Sequence, residues 1–301
     1  MATRRLLITG ATGKQGGAVL DSLLSRSSGA STPIELLAVT RNIDSARAKH
    51  IASKPNVTLV QSETVNPTGI FSKAGSVDSV FLASVAVPFE PGAEEEQALP
   101  TIDASIAHGV KHIVYTSIDR GGPAASNILP TQVGHFAAKY RIEQYLKEKA
   151  SKSGVTWTIL QPAAYIENIS PDLNGKAFAS MWAGLGDKPL QMVSVKDIGH
   201  FGALALLEPE KYKGQTVSIA GDELTFKEAC AVFKETMGYD MPQTYSFVGS
   251  MIRFLIKDAR EMMAWLATVG YQVDIPTVRE SYAGLRNFAT YLKESSGFKA
   301  R

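Results

Sequence analysis

Residues 6–17, Leu6-Leu7-Ile8-Thr9-Gly10-Ala11-Thr12-Gly13-Lys14-Gln15-Gly16-Gly17, constrain the fold more than any other stretch. A short apolar run suited to a buried strand leads into glycines spaced G-x-x-G-x-x-G. Ala18, Val19, Leu20, Leu23 and Leu24 then recur with helical period, so the order is strand, tight turn, helix. Glycines lack a Cβ and let the backbone approach a pyrophosphate while the first N–H groups of the helix point at it. Gly10, Gly13 and Gly16, with Thr12, Lys14 and Gln15 between them, are therefore candidate dinucleotide contacts. The alternative is an ordinary glycine-rich turn. Placement at the first strand of an alternating chain favours the dinucleotide.

The alternation continues with strands at 34–40, 57–60, 77–83 and 112–117 and helices at 44–52, 69–74 and 94–108. Strongly apolar strands alternating with helices predict an α/β chain with a doubly wound parallel sheet and right-handed crossovers. An acidic residue just beyond the second strand would suit the ribose hydroxyl of NAD. Thr40-Arg41-Asn42 instead offers a cation to a 2′-phosphate, so NADP(H) is the expected cofactor and Arg41 its contact. Ala83 and Ser84, at the end of the fourth strand, are candidates to line the same groove. Glu94-Glu95-Glu96 reads as a solvated helix start.

A Gly-, Pro- and Ser-rich loop over 119–129 precedes a long helix at 133–152. His135 and Lys139, four apart, share one face of it and can reach one pocket. A strand at 155–160 leaves through a proline turn at Pro162, followed by Tyr165. Beyond Asn168 the alternation fades, with short strands at 190–195 and 217–220 and a helix starting near 195 in which Asp197 serves the N-terminus. Gly221-Asp222 reads as a turn, Thr225 and Glu228 as a capping box, and helices are expected at 226–238, 249–269 and 277–294. A Rossmann domain over 1–165, with the chain returning to it near 190–205, and a smaller, mainly helical lobe over 166–301 are the expected organisation.

At 301 residues the chain can bury a full core, and a net charge of +2 without a long basic run argues against a nucleic-acid partner. A single cysteine, Cys230, excludes an internal disulfide framework and suits a reducing compartment. A first strand starting near residue 4 leaves no room for a leader, and no apolar stretch reaches membrane-spanning length, so a cytoplasmic location is expected. Five dispersed histidines give no metal-ligand spacing, and no nucleophile elbow or Gly-Lys-Ser/Thr phosphate loop occurs.

The glycine turn, Thr40-Arg41, His135-x-x-x-Lys139, residues 161–168 (QPAAYIEN) and Val195-Lys196-Asp197-Ile198-Gly199 together resemble the NmrA-like family, from about Arg4 to Phe226. These are atypical, extended short-chain dehydrogenase/reductase folds related to isoflavone and pinoresinol reductases. The resemblance implies NADP(H) in the first lobe and a small-molecule substrate or effector in a cleft between the lobes. Reductases of the wider superfamily use Tyr-x-x-x-Lys, in which the lysine lowers the tyrosine pKa and holds the nicotinamide ribose. His135 stands at the tyrosine position here.

Lys139 is accordingly the candidate ribose contact and His135 a candidate proton donor, since imidazole titrates near neutral pH. Ser117, beside Thr116, is a candidate substrate-orienting hydroxyl, Tyr165 a candidate wall or acid, and Pro162 a candidate cofactor contact. Met181, Trp182, Met192, Phe247, Met251, Phe254, Met262, Met263 and Trp265 read mostly as core or cleft lining. Two functions are open. One is an NADPH-dependent reductase of a small apolar carbonyl, enone or imine; the other is a non-catalytic NADP(H)-binding regulator of the NmrA type. A homodimer or a regulatory protein is the candidate partner in either case.

Overall fold

The computed structural model describes residues 3–27, 32–63, 65–85, 90, 92–128, 131–244 and 257–300. Strand and helix alternate at first: β1 (Arg4–Ile8), α1 (Lys14–Ser27), β2 (Ile34–Thr40), α2 (Ala46–Ala52), β3 (Val57–Gln61), α3 (Pro67–Ala74), β4 (Ser79–Ala83) and α4 (Ala93–Ala107). After β5 (His112–Thr116) two helices, α5 (Gly122–Ile128) and α6 (Gly134–Ser153), precede β6 (Thr156–Pro162). The chain continues through β7 (Ala164–Tyr165), α7 (Leu173–Ala183), β8 (Leu190–Val193), α8 (Val195–Leu207), α9 (Pro209–Tyr212), β9 (Gln215–Ile219) and β10 (Asp222–Leu224). It ends with α10 (Phe226–Met237), α11 (Lys257–Thr268), α12 (Ile275–Ser281) and α13 (Phe288–Glu294).

Seven strands form the main sheet in the order β3-β2-β1-β4-β5-β6-β9, the doubly wound arrangement expected from the alternation. Leu6 of β1 lies opposite Leu36 of β2 on one side and Ser79 of β4 on the other, both in parallel register. The strands are near-continuous apolar runs because both faces are covered, and Leu6, Leu7, Ile8, Val80, Phe81 and Ile113 are fully buried. The strand order reverses between β1 and β4. In open α/β sheets that reversal opens a crevice beyond the carboxyl ends of the strands.

One compact unit comprises Met1–Ser117, Ala137–Gln161 and Ile198–Val217; the other comprises Ile118–Phe136, Pro162–Asp197 and Ser218–Arg301. The second unit holds a small sheet in which β8 pairs β7 in parallel and β10 antiparallel.

Several elements differ from the sequence reading. Residues 122–128 form α5 rather than loop, because the buried Asp119 carboxylate accepts the N–H groups of Gly121 and Gly122 at 3.0 Å each and Pro123 suits a first helical turn. Helix α7 begins where Asp172 accepts the Gly175 N–H at 2.9 Å, a start hidden by an interior glycine. The turn expected at Gly221-Asp222 leads directly into β10. The tail splits into α12 and α13, the second capped by Asn287. The capping box of Thr225 and Glu228 forms as expected, and the expected helix at 249–269 is described from Lys257 onward, residues 249–256 lying outside the described residues. No described helix is long and apolar enough to cross a membrane.

The start of α8 also differs. Glu167 accepts the Val195 N–H at 3.0 Å and the Ser194 hydroxyl at 2.9 Å, and thereby serves that helix end. Asp197 lies in the first turn as expected, and is also buried against Arg286, accepting Nη1 at 2.7 Å and the backbone N–H at 2.9 Å. Burial pushes its carboxyl above the usual range, outweighing the guanidinium.

At the amino end of β5, His112 sits buried between the hydroxyls of Thr156 (2.8 Å) and Thr158 (3.1 Å). Desolvation, with a smaller push from Arg4, depresses its pKa from 6.5 to about 4, against the attraction of Glu210. The unfolded chain therefore takes up this proton first as pH falls. His112 contributes stability fully above pH 6.5 that is lost on the way down to about pH 4, roughly 3 kcal/mol in all. We expect urea unfolding across this window to show that loss in the wild type and a flatter profile in His112→Asn. Parallel profiles would mean that His112 does not contribute.

Candidate active site

Gly10, two residues beyond β1, has φ +58°, a conformation that L side chains rarely adopt, and its carbonyl accepts the Gly13 N–H at 2.8 Å. Gly16 then lies so close to the turn that a Cβ would stand 2.4 Å from Gly10 O and 2.5 Å from Thr9 O. Helix α1 can start there only with glycine at this position. The Thr9 hydroxyl joins β1 to β4, accepting the Ala83 N–H at 2.9 Å and donating to Phe81 O at 3.1 Å. Gln15 reaches the end of β5, where its Oε1 accepts the Thr116 hydroxyl at 2.6 Å.

Gly13 and Lys14 are exposed on this edge and Thr12 is half-buried. Arg41 is exposed just beyond β2, its carbonyl accepting Gln61 Nε2 at 3.3 Å. The sequence reading missed Arg47. Ser45 caps α2 and the Arg47 guanidinium lies over the turn, donating to Gly13 O at 3.2 Å. A cation in the first turn of the helix after the second strand was the available signal. The first-turn amides of α1, a surface without Cβ atoms and cations on the same edge fit an anionic diphosphate with a further phosphate.

Lys139 is buried, not a solvent-facing helix lysine. Its ammonium pairs with Glu94 at 2.8 Å and donates to Ser84 Oγ at 3.3 Å and Thr116 O at 3.4 Å, 5.4 Å above the Tyr115 ring. Glu94 is therefore not part of a solvated helix start, although Glu95 meets Arg141 and Glu96 is exposed as that reading had it. The second Glu94 oxygen is buried without a hydrogen-bond partner among the described residues, an acceptor suited to a hydroxyl or a water. Burial, only partly offset by Lys139, pushes the Tyr115 phenol up to about 12, so it stays neutral in the cluster.

Ser117 is also turned inward, its hydroxyl donating to Glu143 Oε1, which accepts Gln161 Nε2 at 3.0 Å. Ser84 joins Lys139, and Ser117 and Gln161 meet Glu143, whose charge also acts on Tyr115. In the second unit, Pro162 O accepts the Asp119 N–H at 3.1 Å, Tyr165 is half-buried and Tyr271 is buried. Desolvation, then the charge of Asp119, raises the Tyr271 phenol far above its ordinary range. His135 Nδ1 meets Asp258 Oδ2 on α11, and sequence spacing gave no hint of that partner, 123 residues away. Among the other apolar candidates, Trp182, Met192, Met263 and Trp265 are buried, while Phe247, Met251 and Phe254 lie outside the described residues.

The model of the NmrA-like family matches residues 2–271. The NmrA-like family domain-containing oxidoreductase FrzB of a Cladobotryum species is 27% identical over 267 residues, covering 77% of this chain and 73% of that protein. The triphenylmethane reductase of a Citrobacter species, solved with NADP(H), aligns with a TM-score of 0.71 at 18% identity over 97% of this chain and 99% of that one. NmrA, a negative transcriptional regulator solved with NADP, aligns with a TM-score of 0.68 at 17% identity over 98% and 96%. At these identities the two structures speak for the fold.

Removing one partner of a buried ion pair strands the other charge. Glu94→Ala should therefore cost about 3–5 kcal/mol in urea unfolding, and adding Lys139→Met should recover much of it. An additive double variant would show that the two side chains do not interact.

Proposed function

Because the chain belongs to the NmrA-like family, we propose that it is an NADP(H)-dependent oxidoreductase acting on a small apolar carbonyl, enone or imine. The observation that carries this reading is the glycine turn, where α1 starts in contact with Thr9 and Gly10 and Arg47 lies over the same turn. FrzB, a relative by sequence, carries the oxidoreductase name, and the reductase of Citrobacter binds NADP(H) in the same fold.

Gly10, Thr12, Gly13, Lys14, Gln15 and Gly16 would hold the diphosphate, and Arg41 with Arg47 the 2′-phosphate. Ala83, Ser84, Lys139 and Pro162 would border the remainder. A bound NADPH supplies a hydride. The protein's part is to orient the acceptor and provide a proton, and His135 is the group we assign to that transfer, through Nε2, with Tyr165 as a wall.

One observation favours a second reading, that of an NADP(H)-responsive regulator. The Ser117 hydroxyl and the Lys139 ammonium, which occupy the positions the resemblance links to reduction, are both held by buried carboxylates, Glu143 and Glu94. NADPH consumption with a panel of carbonyl and imine compounds separates the two. Turnover supports the reductase; its absence, with unequal affinities for NADP and NADPH, supports the regulator.

Titration with NADPH should give saturable binding to the folded protein, and no binding would end both readings. Arg41→Ala and Arg47→Ala should each weaken NADPH by about tenfold, near 1.4 kcal/mol, while leaving NADH affinity unchanged. An unchanged NADPH to NADH ratio in either variant would remove that arginine from the site.

A further inference from the structure

His135 lies in the first turn of α6, and Asp258 in the first turn of α11 engages it twice. Asp258 Oδ2 meets the ring at Nδ1, and Oδ1 accepts the His135 backbone N–H at 3.4 Å. One carboxylate thus fixes the imidazole and serves the open amide end of the helix that carries it. Burial alone would raise the Asp258 carboxyl, but the hydrogen bond and charge of His135 outweigh it and hold it below its ordinary range, so the acceptor is an anion. The next acidic residue on α11, Glu261, faces Lys257 at 3.6 Å.

The ring is held from its face as well. Phe136 stands edge-on to it at 4.5 Å between centroids, and Trp265, two turns along α11 from Asp258, packs edge-on to Phe136 at 5.0 Å. The His135 side chain keeps about a quarter of its surface accessible (24%), and among the described residues Nε2 has no hydrogen-bond partner.

We propose that Asp258 is a positioning residue that keeps a proton on Nδ1 of His135, so that all proton exchange at this ring occurs through Nε2. The proposal rests on the reading of His135 as the proton-transfer group. As acid, the imidazolium gives its Nε2 proton to the acceptor's oxygen or nitrogen, whose adjacent carbon would take the hydride that a bound NADPH supplies. The Nε2–H bond breaks and an O–H or N–H bond forms. The ring is left neutral with its Nδ1–H bond to Asp258 intact, and solvent returns a proton to Nε2. Without the carboxylate, a neutral imidazole prefers to keep its hydrogen on Nε2, the atom that must be bare to be recharged.

The test is the tautomer of His135, read in ligand-free protein by long-range proton–nitrogen correlation spectra of the imidazoles at alkaline pH, with the signal assigned by its loss in His135→Gln. The wild type is expected in the Nδ1–H form with a bare Nε2. Asp258→Ala should shift the ring toward Nε2–H, and Asp258→Glu should restore Nδ1–H. A wild-type ring in the Nε2–H form, or one whose tautomer Asp258→Ala leaves unchanged, overturns the proposal. Should Asp258→Ala fail to fold, the wild-type spectrum alone still decides. Where a substrate is turned over, Asp258→Ala should lower kcat by about 100-fold or more with little change in KM; an unchanged kcat also overturns it. Failure of NADPH to bind would remove the reductase reading while leaving the tautomer result intact, so the two can fail separately.

Discussion

The carbonyl oxygens of Thr9 and Gly10 occupy the space that any side chain at Gly16 would need. That one close approach sets where α1 begins, and therefore which amides are left open at the reversal point of the sheet. The rest of the edge is built onto it. The Thr9 hydroxyl fixes the end of β4 and Gln15 fixes the end of β5, so three strand ends are tied to one turn by side chains within a few residues of each other. A site made of main-chain groups needs this kind of bracing, because a backbone that shifts by a fraction of an ångström no longer aims its dipoles.

The electrostatics of the first unit divide into two layers. At the rim, Lys14, Arg41 and Arg47 are exposed cations, which attract an anion at long range but add little to stability. Beneath them, Lys139 is buried and its charge is matched by Glu94. Taking two charges out of water is expensive, and the arrangement persists because Ser84 and the Thr116 carbonyl complete the donor set of the ammonium. The exposed layer is positive, as a ligand with charged phosphates requires, whereas in the buried layer the lysine is matched by a carboxylate.

The sheet and the glycine turn were legible in the sequence because their signals are local: apolar runs of strand length, helical period, and glycines at fixed spacing. The capping box at Thr225 and Glu228 was legible for the same reason. What escaped was set by distant chain. Nothing near Glu94 says that it will be covered, since its burial comes from Lys139, 45 positions later. Asp197 was placed in its helix turn, but its partner Arg286, 89 positions on, and the Glu167 carboxylate that accepts the Val195 N–H left no local signal. Helix α5 was read as loop because glycine and proline usually break structure. Here Asp119 holds the two glycines at φ +99° and +86° and the proline falls where a helix tolerates it.

The substitution of histidine for tyrosine is physically coherent with the burial of Lys139. A phenol has an ordinary pKa near 10 and needs a neighbouring cation to act as an acid–base group at neutral pH. In this chain the lysine that supplies that cation in the tyrosine pattern is engaged with Glu94, so a tyrosine four residues before it would have to work against its own chemistry. An imidazole titrates near neutrality unaided, and what it requires is an acceptor that fixes which nitrogen carries the proton. Asp258 is such an acceptor. On the proposed reading of His135 as the proton donor, Asp258 is the fixed acceptor that the imidazole requires, as Glu94 is the counter-charge that the buried Lys139 requires.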